Sequence, residues 1–168
     1  PWTVSTRPPL AIASCGNAAI AASTLAAAVQ WPIYVHVPPA ATTEVLTALT
    51  ELDADVRVCA RLPEDEAGDP CVLRFREAVA NGAIAFGVQG TENAWCLDGG
   101  RTIGWEMTEE MGPLMDRIFI QVGGGAFAAC VGASLRSAGV HPKLHAVQTE
   151  GCAPLARAWE NALATGGT

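Results

Sequence analysis

The sequence predicts an α/β fold of open parallel sheets with flanking helices, in three αβα layers. Short apolar, often β-branched runs alternate with longer helix-forming stretches along nearly the whole chain, which is the pattern of right-handed βαβ units. Two of those runs end in small glycine-containing loops that open directly into alanine-rich helices. The 168 residues are 50% apolar, enough to bury one substantial core or two small ones.

In chain order, residues 10–13 (Leu-Ala-Ile-Ala) read as a first strand that runs into Ser14-Cys15-Gly16-Asn17 and a helix over 17–29. A helix start presents unpaired N–H groups and the positive end of the macrodipole, so a carboxylate or phosphate resting there is stabilised. Ser14 and Asn17 add side-chain donors, and Gly16 allows a ligand close to the backbone. The competing reading is that Ser14 or Asn17 caps the helix. Strand 33–37, helix 43–52 and strand 56–59 follow. The acidic stretch 64–69 reads as a solvated loop rather than a metal site. Helix 70–81 has Pro70 in its first turn and Gly82 as its stop, and a short strand occupies 83–85.

The stretch 87–100 holds five glycines or asparagines and reads as a boundary between a small domain, 1–86, and part of a larger one, 87–168. Beyond it come helix 101–111, strand 118–122, helix 125–138, strand 144–148 and helix 154–163. Gly123-Gly124-Gly125 stand between the second-last strand and its helix. Glycines permit the positive φ values that turn several N–H groups toward one point, a phosphate cradle; a flexible turn is the alternative. Neither the Walker spacing nor Gly-x-Gly-x-x-Gly fits this loop.

Composition excludes several classes. A net charge of −7 without a Lys/Arg cluster argues against nucleic acid, whose binding is dominated by phosphate neutralisation. No apolar run approaches the about 20 residues of a membrane span, and no signal-like segment opens the chain. Cys15, Cys59, Cys71, Cys96, Cys130 and Cys152 contain no Cys-x-x-Cys pair. They are expected to be reduced and mostly buried, in a cytoplasmic protein. His36, His141 and His145 lack ligand spacing and are expected at strand edges; Trp31, Tyr34 and Trp95 are expected in core or boundary packing.

Five segments in one order carry a resemblance: Ser14-Cys15-Gly16-Asn17-Ala18-Ala19, the strand from Trp31 to Pro38, Asp98 to Glu106, Gln121 to Ala126, and Val147 to Pro154. Together they resemble the pyridoxal-phosphate (PLP) enzymes of the tryptophan-synthase-β superfamily, fold type II, in the threonine synthase and serine/threonine dehydratase branch. The resemblance implies a site in the cleft between a small and a large domain. In it Asn17 bonds the PLP ring hydroxyl, and Ser14, Cys15 and Gly16 hold the substrate carboxylate. Gly123, Gly124, Gly125 and Ala126 bind the cofactor phosphate. Gln148 stands where some relatives carry an acidic metal ligand, so no metal is expected.

The implied activity is a lyase reaction on L-threonine, L-serine or a related hydroxy-amino acid, by Cα deprotonation and β-elimination. A threonine synthase acting on O-phosphohomoserine and a non-catalytic ligand-binding module are the alternatives. A dinucleotide-binding domain is disfavoured by the position of Glu44 after Pro38-Pro39. The family holds PLP on a lysine upstream of the Ser-x-Gly-Asn loop. Thirteen residues precede Ser14, none of them lysine, and the single lysine is Lys143, expected as an exposed turn residue. The chain is therefore expected to be an internal piece of a longer enzyme, with no catalytic residue of its own and inactive alone. Its partners would be an amino-acid substrate and, in the full-length protein, further copies of itself.

Overall fold

The computed structural model describes residues 6–89 and 92–166, in two compact units, Pro1–Val88 and Gln89–Thr168. Gly90 and Thr91, within the glycine-rich stretch, lie outside the described residues. The fold is the expected α/β arrangement of parallel sheets flanked by helices.

The first unit runs β1 (Leu10–Ala13), α1 (Asn17–Ala28), β2 (Ile33–Val37), α2 (Thr43–Glu51), β3 (Asp55–Val58), α3 (Pro70–Ala80) and β4 (Ile84–Ala85). All strands are parallel, in the order β3-β2-β1-β4. From β1 the chain steps outward twice, through α1 and α2, and right-handed crossovers put both helices on one face. Helix α3 carries the chain back across the sheet to the far side of β1 and so takes the other face. The core divides accordingly. Leu10, Ile12, Ile33, Val35 and Val37 pack with Ala19, Ala22 and Ala26 of α1 and Leu49 of α2; Ala11 packs with Phe75 of α3 and with Ala83. Alternate residues of each strand serve opposite faces.

Side-chain oxygens start two of these helices: Thr42 accepts from Val45 N at 3.5 Å and Asp69 from Cys71 N at 2.8 Å, each relieving an orphan donor. The acidic stretch is more ordered than a solvated loop. Asp65 is ion-paired with Arg74, its side chain only 3% exposed, and also accepts from Leu62 N at 2.8 Å. His36 is not at an edge: it lies on β2 between β1 and β3 and is buried.

The second unit comprises α4 (Trp95–Gly99), α5 (Thr102–Met111), a 3-10 turn at Gly112–Leu114, β5 (Arg117–Gln121), α6 (Ala126–Ser137), β6 (Lys143–Val147) and α7 (Pro154–Ala164). Strands β5 and β6 pair in parallel across the α6 crossover. Met115, Ile120 and Val122 meet Val131 and Leu135 of α6. Helix α4 was not foreseen, because the turn-forming residues around it masked a short helical segment, whose Asp98 pairs with Arg101 at 3.3 Å. Trp95 on α4 is 83% exposed rather than packed. Of the six free cysteines, Cys59, Cys71 and Cys130 are buried, whereas Cys15 and Cys152 are exposed and Cys96 is intermediate, so half are buried where most were expected to be.

Candidate functional site

Each unit carries one of the two loops that the sequence singles out. In the first, Ser14-Cys15-Gly16 leave the carboxyl end of β1 and α1 begins at Asn17. Strand β1 lies between β2 and β4, where the connections change from one face of the sheet to the other, and open α/β sheets bind ligands outside the carboxyl ends of strands at such a point. Ser14 N donates to His36 O at 3.2 Å, which fixes the loop to the end of β2. Cys15 and Asn17 are exposed, and Ser14 and Gly16 are half-buried.

The capping alternative does not hold. The N-cap of α1 is Gly16, in extended conformation, and no side chain caps the helix. Neither Ser14 nor Asn17 caps the first turn, where the Ala19 N–H donates to Gly16 O at 3.0 Å, and a Cβ built on Gly16 would meet nothing within 4 Å. A helix start that no side chain caps, beside open space, is suited to an anion.

The second loop has the same anatomy. Gly123-Gly124-Gly125 leave β5, and α6 begins at Ala126 with Gly125 as its N-cap and again no side-chain cap. Of the three glycines only Gly125 uses the left-handed freedom that glycine permits, with φ +97°; the others contribute open space. A Cβ on Gly124 or Gly125 would meet nothing within 4 Å, and one on Gly123 only Gln121 Nε2 at 3.7 Å. A flexible turn is also disfavoured, since Val122 before the loop is buried and Ala129 N bonds Gly125 O at 2.9 Å.

Lys143 opens β6 as a strand residue rather than a turn residue, in register with Arg117 at the start of β5. The glycine loop leaves the other end of β5. In five-residue parallel strands those ends are separated by roughly 13–16 Å, so Lys143 is not beside the loop.

Gln148, just beyond β6, does more than its residue type foretold. Its Nε2 donates to Val122 O at 2.9 Å, and its Oε1 accepts from Leu155 N at 3.1 Å and Ala156 N at 3.2 Å. The sequence held one hint: Ala153 and Pro154 open α7 without a local capping side chain, so the cap had to come from elsewhere.

The buried titratable groups lie off these loops. Burial, reinforced by Arg57, lowers the pKa of His36, whose Nδ1 sits 3.6 Å from Cys59 Sγ. Burial, with Asp69 and Cys59 adding to it, pushes the Cys71 thiol up to about 12. No helix is long and apolar enough to cross a membrane among the described residues.

Residues 7–166 match the model of a family described as "Pyridoxal-phosphate dependent enzyme". Solved structures share the fold. A threonine deaminase isoform from Solanum lycopersicum matches at TM-score 0.75 and 19% identity, over 93% of this chain and 43% of that one. A serine racemase from Dictyostelium discoideum matches at TM-score 0.73 and 21% identity, over 95% and 48%. A PLP-dependent aspartate racemase matches at TM-score 0.74 and 18% identity, over 96% and 45%. At these identities the likeness is one of fold, and the chain spans less than half the length of each. No curated protein sequence matches the chain.

Proposed function

The chain belongs to the pyridoxal-phosphate-dependent enzymes, and from that premise we propose that it supplies the cofactor-phosphate and substrate-carboxylate parts of a lyase site acting on L-threonine, L-serine or a related hydroxy-amino acid. The observation that carries this reading is the shared anatomy of the two loops. Each leaves the carboxyl end of a strand, each starts a helix on a glycine, and neither helix start is covered by a side chain.

The residues present fit PLP. A cofactor phosphate needs several N–H donors around an opening free of Cβ atoms, and the glycine loop leaves that space at Gly124 and Gly125. Gly123, Gly124, Gly125 and Ala126 would hold the phosphate. Asn17 would bond the ring hydroxyl, and Ser14, Cys15 and Gly16 would orient the substrate carboxylate at the start of α1. When bound, PLP supplies an electron sink for charge developing at the substrate Cα. The contribution of this chain is orientation: carboxylate and ring held from fixed backbone set the Cα–H bond for removal. Lys143 opens β6 opposite Arg117, at the end of the strands away from the glycine loop, so it is assigned no part in proton removal.

The test is an assay of the PLP-loaded full-length protein with L-threonine, L-serine and O-phosphohomoserine side by side. The expected product from threonine or serine is a 2-oxo acid with ammonia. Phosphate release with threonine formation from O-phosphohomoserine would move the reading to a threonine synthase. Racemisation without elimination, or no turnover, would overturn the lyase reading.

A further inference from the structure

We infer that Gln148 is a positioning residue for the glycine loop: by holding the carbonyl of Val122 it aims the N–H of Gly123 at the bound phosphate. The inference rests on the reading of that loop as a phosphate site.

Val122 is the residue that hands β5 to the loop, and it is buried. Both of its backbone polar groups are engaged by the end of β6. Its N–H bonds Val147 O at 2.9 Å, and its carbonyl accepts from Gln148 Nε2 at 2.9 Å. The Val122 carbonyl and the Gly123 N–H belong to one planar trans peptide and point in opposite directions. Fixing one therefore fixes the other. Glycine at 123 imposes little torsional preference of its own, so an external grip is what keeps this peptide from rotating.

The other end of the same amide makes the grip stiff. Gln148 Oε1 accepts from Leu155 N and Ala156 N, at the first turn of α7, whose own N-cap, Ala153, provides no side-chain bond. The side chain is thereby held at both ends, with the amide in the one orientation that satisfies a carbonyl on one side and two N–H groups on the other. A carboxylate would satisfy the helix side and not the carbonyl. The residue type is thus matched to two tasks, capping α7 and orienting the loop peptide.

Two variants separate those tasks. Gln148→Glu keeps an acceptor for Leu155 and Ala156 N–H but has no donor for Val122 O; Gln148→Met removes both and adds no charge. Inorganic phosphate is titrated into the 168-residue chain and both variants, with amide signals followed by 15N NMR. In the wild-type chain phosphate is expected to shift the signals of Gly123 to Ala126. Both variants are expected to show a displaced Gly123 signal before any phosphate is added, and phosphate affinity lowered by about fivefold to tenfold, the value of one hydrogen bond. In Gln148→Glu the Leu155 and Ala156 amides should stay protected from exchange, which separates the loss from a frayed α7; the same loss in the neutral Gln148→Met separates it from charge repulsion. Wild-type phosphate affinity in Gln148→Met, or an unmoved Gly123 signal in both variants, would overturn the inference and leave Gln148 a helix cap. Absence of any phosphate response at Gly123 to Ala126 in the wild-type chain would instead overturn the phosphate reading, and the inference with it.

Discussion

Asn17 shows what one residue can and cannot disclose. Its type and position allowed both a helix cap and a ligand donor; the structure removes the cap, since α1 starts on Gly16 without side-chain help. Asn17→Ala is therefore expected to leave the helicity and melting of the protein unchanged while weakening PLP binding by about 1 kcal/mol, one hydrogen bond. Fluorescence titration with PLP, beside circular dichroism, checks both halves. His36 was misread because nothing local tells an edge strand from an inner one. Only the order β3-β2-β1-β4 places it inside, and burial then holds its pKa below the ordinary 6.5. The folded state takes up its proton only at a lower pH than the unfolded chain does. Its contribution is thus intact above about 6.5 and is lost as pH falls below that value toward the lowered folded pKa. Denaturant melts from pH 7.5 to 5 should show stability falling over that range, with a shallower fall in His36→Asn. Equal slopes would remove His36 from the acid response.

At the scale of elements, most of the fold was legible because its signals are local. Alternation of short β-branched runs and alanine-rich stretches marked the strands and all helices but α4, and Pro70 and Gly82 marked the ends of α3. What escaped depends on contacts between elements. Gly104, in mid-α5, reads in sequence as a weak helix position. In the fold it is where α5 crosses α6: a Cβ there would collide with Ser134 Oγ and come within 2.9 Å of Ser134 Cβ, and Ser134 is fully buried. Gly104→Ala should therefore destabilise the chain by about 1–3 kcal/mol, overpacking outweighing the gain in helix propensity. Adding Ser134→Gly should recover part of that loss. Chemical denaturation of the single and double variants measures it, and a stabilised Gly104→Ala would contradict the packing.

For the whole molecule, burial is unevenly shared. β1 and β2 contribute most of the fully buried strand residues, whereas α7 buries none of its residues and β6 is exposed or half-buried throughout. Amide exchange should accordingly be slowest in β1 and β2 and fastest in β6 and α7; uniform protection would contradict that ordering. The sequence disclosed where each loop lies within its own unit, since a strand, a glycine and a helix start are adjacent in the chain. Conformation within the loops was less legible: the sequence does not say which of three glycines is left-handed, and only Gly125 is. That difference supplies a clean test of the central claim, that the glycine loop holds the PLP phosphate. Gly124 does not have a positive φ, and a Cβ there would meet no neighbouring atom within 4 Å, so Gly124→Asp should fold as the parent does. Its carboxylate would stand in the phosphate space against a dianion. Titration of PLP into the parent and Gly124→Asp, followed by 31P NMR and by the amide signals of the loop, measures the effect directly. The expected result is phosphate binding at Gly123 to Ala126 in the parent and its loss in the variant; unchanged PLP affinity in a folded Gly124→Asp would contradict the claim.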